Sequence, residues 1–260
     1  MLKRSDINAT QTPELKKELE ISVDQVHVWV ISGSKRQRHD PTILQLLSAD
    51  EVTRARRFKS EDHAAQWAFF HACLREILGA YTGQAPEQLR FQLGAHDKPA
   101  LQEPSPPPLY FNLSHSGELA LLALTRRAPI GVDIELQREL NDRDALVARF
   151  FSDAEQAEFA QLPATIRTNC FYNCWTRKEA LIKANGIGLS APLEAFDVPL
   201  LELAGWHLPA VRPPLPAKTS YPLQPIDPGP GYVGAVALEL PDTQCNKLPE
   251  VQVDNYQRGF

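Results

Sequence analysis

The sequence has no apolar run fit to cross a bilayer. Its longest, near Leu119–Leu124, falls far short of the ~20 residues that a spanning helix needs. The opening stretch, MLKRSDINATQTPELKKELE, is too polar for a signal peptide, so a cytoplasmic protein with no membrane partner is expected. Basic excess is missing too: the net charge is −5, which argues against broad nucleic-acid binding. Cysteine is sparse, with only Cys73, Cys170, Cys174 and Cys245, and no CxxC pair or Cys/His cluster at zinc spacing. Cys170 and Cys174 stand one helical turn apart, but no further ligands accompany them. Reduced, buried thiols are the expectation.

What is present describes a soluble globular chain. Hydrophobic residues make up 43% and charged residues 23%, and 260 residues suffice for one large domain or two ordinary ones. VDQVHVWVIS reads as a strand with Val26, Val28 and Val30 on one face. Residues 48–80 read as helical. After Pro106-Pro107-Pro108, LYFNLS is a strand running into Ser114-His115-Ser116-Gly117, and ELALLALT is another. Many prolines fall in 202–231, which predicts irregular or edge structure there, and GYVGAVALEL alternates like a strand. Residues 1–21 and 242–260 are polar and expected to be peripheral tails.

The two halves between those tails, 22–127 and 128–241, resemble each other. LSADE (47–51) matches FSDAE (151–155), FFHACLREILGAYTG (69–83) matches YNCWTRKEALIKANGIG (172–188), and APEQLRF (85–91) matches APLEAF (191–196). The offset stays between 103 and 105 residues, from Ser48 and Ser152 through Glu76 and Glu179 to Phe91 and Phe196. The predicted fold is α+β: two similar halves about a pseudo-twofold axis, with a cleft between them.

The most chemically loaded segment is IGVDIE (130–135). In an extended chain Ile130, Val132 and Ile134 share one face, and Gly131, Asp133 and Glu135 share the other. Two acids on a strand this apolar call for a positive partner. Taken alone, the pattern also suits a strand end whose acids face water or arginine. The helix predicted over 168–184 offers a third carboxylate: Glu179 lies near the edge of the apolar arc of Phe171, Cys174, Trp175, Leu181 and Ile182. Lys178 falls inside that arc and Lys183 at its border. A hard cation such as Mg²⁺ suits an oxygen-rich set of this kind, with remaining positions left for water and phosphate. Glycine at 131 would leave room for a ligand. His115 between two serines, Lys98 beside Pro99, and the cluster Arg54, Arg56 and Arg57 could meet phosphate, although each also reads as ordinary turn or surface chemistry.

Together these motifs resemble the 4′-phosphopantetheinyl transferases of the larger, two-repeat class. The resemblance rests on FNLSHSG (111–117), GVDIE (131–135), RFFS (149–152) and WTRKEALIKANGIGLSAPL (175–193), with weaker support from HDKPAL (96–101) and RARRF (54–58). It covers roughly 25–240. It implies transfer of the phosphopantetheine arm of coenzyme A to a serine of an apo carrier protein, releasing 3′,5′-adenosine bisphosphate. Asp133, Glu135 and Glu179 would hold Mg²⁺. Ser114 and His115 would contact coenzyme A, Lys98 and Arg54 further phosphate oxygens, and Lys178 and Lys183 the pyrophosphate. Glu179 would serve as general base, and Lys183 would stabilise the leaving phosphate. Two positions depart from the family pattern. Glu51 stands where relatives carry a basic residue, and Trp67, counted ungapped from Phe58, where some place a small hydroxyl near the 3′-phosphate.

The resemblance implies one active site, because Glu76 matches Glu179 but has no DxE beside it. Acyl, polyketide and peptide-synthesis carriers all fit as partners, and a monomer is expected by fold analogy. Two rival readings use the same residues: a protein that binds coenzyme A or a carrier without turnover, and a metal-dependent phosphohydrolase acting on water.

Overall fold

A computed structural model describes residues 19–94, 98–102, 106–188, 192–212, 215–216 and 218–258. The N-terminal residues 1–18, part of the expected tail, lie outside it.

The first half begins with β1 (Gln25–Ser32), followed by the short helices α1 (Lys35–Arg38) and α2 (Ile43–Leu46). The stretch expected to be helical, 48–80, holds two helices, α3 (Ala49–Ala55) and α4 (Glu61–Thr82). The break falls where Ser60 adopts an extended conformation and its hydroxyl accepts from His63 N, capping α4 afresh. The hairpin β2 (Phe91–Leu93) and β3 (Pro99–Leu101) comes next, then β4 (Tyr110–Ser116) and β5 (Leu119–Thr125).

The second half runs β6 (Ile130–Leu136), α5 (Arg143–Phe150), α6 (Asp153–Gln161) and α7 (Ala164–Asn185). The short strand β7 (Phe196–Asp197) precedes the proline-rich region, and β8 (Ala210–Val211) and β9 (Thr219–Ser220) lie in it. β10 (Leu223–Ile226), β11 (Tyr232–Leu238) and β12 (Leu240–Pro241) follow. The chain then returns to the first half as β13 (Glu250–Gln257), which pairs parallel with β1 from Gln25↔Glu250 to Ser32↔Gln257. Within the C-terminal stretch expected as a peripheral tail, Glu250–Gln257 is thus an edge of the first sheet. Its polar composition misled because an edge strand shows most of its side chains to water.

Two main sheets result, ordered β13-β1-β5-β4 and β10-β11-β6. Their apolar faces close on one another. Val26, Val28 and Val30 of β1 share a core with Ile130, Val132 and Ile134 of β6 and with Val236 and Leu238 of β11. The opposite face of β1, with Trp29 and Ile31, packs with Phe69, Phe70 and Ile77 of α4. Ala235 and Ala237 of β11 pack with Leu181 and Ala184 of α7. The alternation of each strand therefore serves two cores, one on either side. The layers run α4, first sheet, second sheet, α7.

The repeat seen in the sequence recurs as structure. Ser48 and Ser152 cap α3 and α6 through matching capping boxes with Glu51 and Glu155. Both α4 and α7 span 22 residues and end at a left-handed glycine, Gly83 and Gly186. In one half Arg75 reaches Glu51 (2.8 Å) and the carbonyls of Pro86 and Leu89. In the other, Lys178 reaches Glu155 (2.8 Å) and the carbonyls of Leu193 and Phe196.

Candidate active site

The acidic face of β6 looks onto α7. A Cβ on Gly131 would overlap Ala180 O and Ala184 N. The expectation that this glycine leaves room for a ligand is therefore corrected: the space is taken by the backbone of α7. The glycine lets helix and strand approach closely, and that approach carries Glu179 and Lys183 to Asp133.

Asp133 is 4% exposed and Glu179 8%. Lys183 Nζ sits 2.5 Å from Asp133 Oδ1 and 3.0 Å from Ser114 Oγ. Ser114 Oγ donates to the same Asp133 oxygen at 2.8 Å. Ser116 Oγ donates to Glu135 Oε2 at 2.8 Å. Two carboxylate oxygens, Asp133 Oδ2 and Glu179 Oε1, are buried with no hydrogen-bond partner. Burial, together with the charges of Asp133 and Glu135 and against the pull of Lys183, pushes the Glu179 carboxyl up to about 7. Burial and Asp133 likewise raise Glu135, while its bond from Ser116 works the other way.

Among the described residues, no three His, Cys, Asp or Glu side chains are already arranged to hold a metal. Lys183 and the serines occupy oxygens that a cation would share. The donor set nonetheless fits a hard cation. Two orphaned anionic oxygens in a buried site are the unsatisfied state that a cation relieves, and Mg²⁺ asks for only one or two carboxylates when phosphate supplies the rest.

The structure brings Ser114, Asp133, Glu135, Glu179 and Lys183 together. His115 points to the opposite side of β4, where its ring stacks on Phe70 of α4 (centroids 5.4 Å apart). Packing around the ring lowers its pKa, helped by the positive charges of His71 and Lys183. Arg54 lies over the Trp67 ring at 5.6 Å, and Trp67 stacks on His71 at 3.7 Å. Glu51, the first departure from the family pattern, is engaged inside the first half by Arg75 and His71.

Two expected phosphate ligands are placed elsewhere. Lys98 Nζ donates to the carbonyls of Ile130 (2.9 Å), Lys183 (2.5 Å) and Ala184. It ties the end of α7 to the start of β6, and burial lowers its pKa to about 8. The neighbouring His96 and Asp97 lie outside the described residues. Lys178 is 0% exposed and wholly engaged by Glu155 and two carbonyls. Helical position placed it correctly on the buried arc, but the acid that receives it comes from α6, and spacing along α7 alone cannot show that.

Asn112, which the sequence reading does not name as a site residue, and Ser116, which it names only as a neighbour of His115, both face β6. With Ser114 they form an every-second-residue polar set in FNLSHS, and that spacing was the available signal. Asn112 Oδ1 accepts from Val132 N at 2.8 Å. Beyond Glu135 opens a cavity of about 440 Å³ lined by Ser116, Arg138, Leu140, Phe171 and Trp175 among others.

The chain is also similar in sequence to known proteins. Residues 129–225 match the model of the 4′-phosphopantetheinyl transferase superfamily. Over 216 residues the chain is 35% identical to the 4′-phosphopantetheinyl transferase HetI of Nostoc sp. (strain PCC 7120), covering 83% of this chain and 88% of HetI. Over 208 residues it is 29% identical to the 4′-phosphopantetheinyl transferase Sfp of Bacillus subtilis, covering 79% and 88% of the two chains. Identity of this extent, over most of both chains, shows that the chain belongs to the 4′-phosphopantetheinyl transferase family.

Proposed function

We propose that the protein moves the 4′-phosphopantetheine arm of coenzyme A onto a serine of an apo carrier protein, with Mg²⁺ as cofactor and 3′,5′-adenosine bisphosphate as the other product. The observation that carries the metal-dependent reading is the pair of orphaned oxygens, Asp133 Oδ2 and Glu179 Oε1, beside the Lys183 ammonium. Asp133 and Glu179 would hold the cation, with Glu135 at its edge. Bound there, it would offset charge on the diphosphate.

In the transfer, the carrier serine oxygen forms a bond to the β-phosphorus. The bond from that phosphorus to the bridging oxygen breaks, and the electron pair leaves with the adenosine bisphosphate. Glu179, with its carboxyl near neutrality, takes the serine proton directly or through a water. Lys183 spends two of its three N–H donors on Asp133 and Ser114, which leaves one for a phosphate oxygen. Arg54 and His115, on the first half, receive outer phosphates of coenzyme A. The two halves are related by a pseudo-twofold axis, the reaction lies between them, and the protein works as a cytoplasmic monomer. No helix among the described residues is long and apolar enough to cross a membrane.

The test is incubation with coenzyme A, Mg²⁺ and apo carriers of the acyl, polyketide and peptide-synthesis types, followed by mass spectrometry of the carrier. A carrier heavier by one phosphopantetheine is expected. Unchanged carriers of every type, with coenzyme A still bound, would favour the binding protein. Coenzyme A cleaved without any carrier would favour the hydrolase.

A further inference from the structure

β4 and β6 lie side by side but belong to different sheets. Side chains join them: Asn112 to Val132 N, Ser114 to Asp133, and Ser116 to both Glu135 and Leu136 N. Ser114 and Ser116 each direct a hydroxyl proton onto a carboxylate, but the oxygen of Ser114 accepts from the Lys183 side chain and that of Ser116 from the backbone of β6. Ser116 Oγ accepts from Leu136 N at 3.1 Å and donates to Glu135 Oε2 at 2.8 Å. The backbone of β6 thus holds the oxygen while the hydroxyl hydrogen is turned onto the carboxylate of the preceding residue.

The turn that follows Ser116 is clamped from three elements. Gln66 of α4 donates to Gly117 O at 2.6 Å, Tyr232 OH of β11 accepts from Glu118 N at 2.9 Å, and Arg38 of α1 pairs with Glu118. Gly117 has a positive φ of 52°, and a Cβ there would press on Tyr232 OH at 2.6 Å. These contacts fix Ser116 relative to both halves.

We infer that Ser116 is a positioning residue. It holds Glu135 by one oxygen so that the other faces the cation and the substrate cavity, and through the hairpin tip it couples that carboxylate to the packing of the first half. The inference rests on the metal-dependent reading above. Carboxylates that bind metals are themselves held by hydrogen bonds, and loss of such a partner typically weakens metal affinity about 10–100-fold.

The probe is Mn²⁺, titrated into wild type, Ser116→Ala and Ser116→Thr in the presence of coenzyme A and followed by electron paramagnetic resonance of the free ion. Ser116→Ala is expected to weaken Mn²⁺ binding about tenfold. It should also raise the Mg²⁺ concentration for half-maximal transfer in parallel, with kcat at saturating Mg²⁺ largely recovered. Ser116→Thr, which keeps the hydroxyl, should restore the wild-type curve. Thermal unfolding of each variant separates a local effect from a folding defect. Wild-type Mn²⁺ affinity in a folded Ser116→Ala protein would overturn the positioning role. So would a fall in kcat with no change in Mg²⁺ dependence. Absence of Mn²⁺ binding by the wild type would instead overturn the cation site, and this role with it.

Discussion

At Gly131 a single missing side chain decides the geometry of the site. Any Cβ there meets the backbone of α7 and not a flexible side-chain tip. Overpacking a core costs about 1–3 kcal/mol even where neighbours can yield. Gly131→Ala is therefore expected to lower stability in urea denaturation and to reduce transfer more than the stability loss explains, because α7 carries Glu179 and Lys183. The chemistry itself is tested at Glu179. Glu179→Gln removes the proton acceptor and an anionic oxygen while keeping the shape of the side chain. Transfer should fall at least about 100-fold, as for loss of a general base, with the melting temperature held or raised. A folded Glu179→Gln protein that still charges its carrier would remove the base from Glu179.

Capping boxes and their basic partners make the two halves a controlled comparison at the scale of elements. Burial raises the pKa of Glu51, but hydrogen bonds from His71 and Ser48 N and the charge of Arg75 outweigh it and hold the carboxyl at about 2. Glu155 has the same motif with Lys178, but its side chain is only 2% exposed against 14% for Glu51, and burial leaves its pKa raised. For Glu51 the folded chain binds fewer protons than the unfolded chain between about pH 2 and the ordinary value of 4.5. Its contribution is thus fully present above about pH 4.5 and lost as pH falls toward 2. The shift corresponds to about 3 kcal/mol, so Glu51→Gln should flatten the acid limb of a stability-versus-pH curve. Lys178 occupies the place of Arg75, so Lys178→Arg is expected to keep both the fold and transfer. Lys178→Met strands a buried acid and should cost about 3–5 kcal/mol in urea denaturation. A stable but inactive Lys178→Arg protein would return Lys178 to the reaction.

Across the whole molecule, the C-terminal strand closes the first half. Glu76 matches Glu179 in the repeat, yet it is engaged by Tyr256 OH (2.9 Å) and Arg258 Nε (3.0 Å) from the end of the chain. The site that is open in the second half is, at this position in the first, taken up by β13 and the residue after it. Tyr256 also meets Trp29 edge-on and is 4% exposed. Tyr256→Ala should cost about 3–5 kcal/mol, like other large aromatic truncations. Truncation after Pro249 should lower the melting temperature further by stripping the edge of β1. Both are read by thermal unfolding, and neither removes a residue of the acidic site.

The sequence alone determined the periodic features: the two-faced strands at 25–32 and 130–136, the long helix bearing Glu179 and Lys183, the repeated LSADE and FSDAE segments, and the family motifs. Each is legible because strand and helix periods map spacing onto faces. Tertiary structure decided which cation answers which anion. Lys98 and Lys178 carry the same charge as Lys183, and spacing cannot tell them apart. Only the packing of α6, α7 and β6 sends Lys178 to Glu155, Lys98 to backbone carbonyls and Lys183 to Asp133. The polar end of the chain became a sheet edge for the same reason. Its partners lie more than 200 residues away in sequence, and a local pattern holds no information about contacts made at that distance.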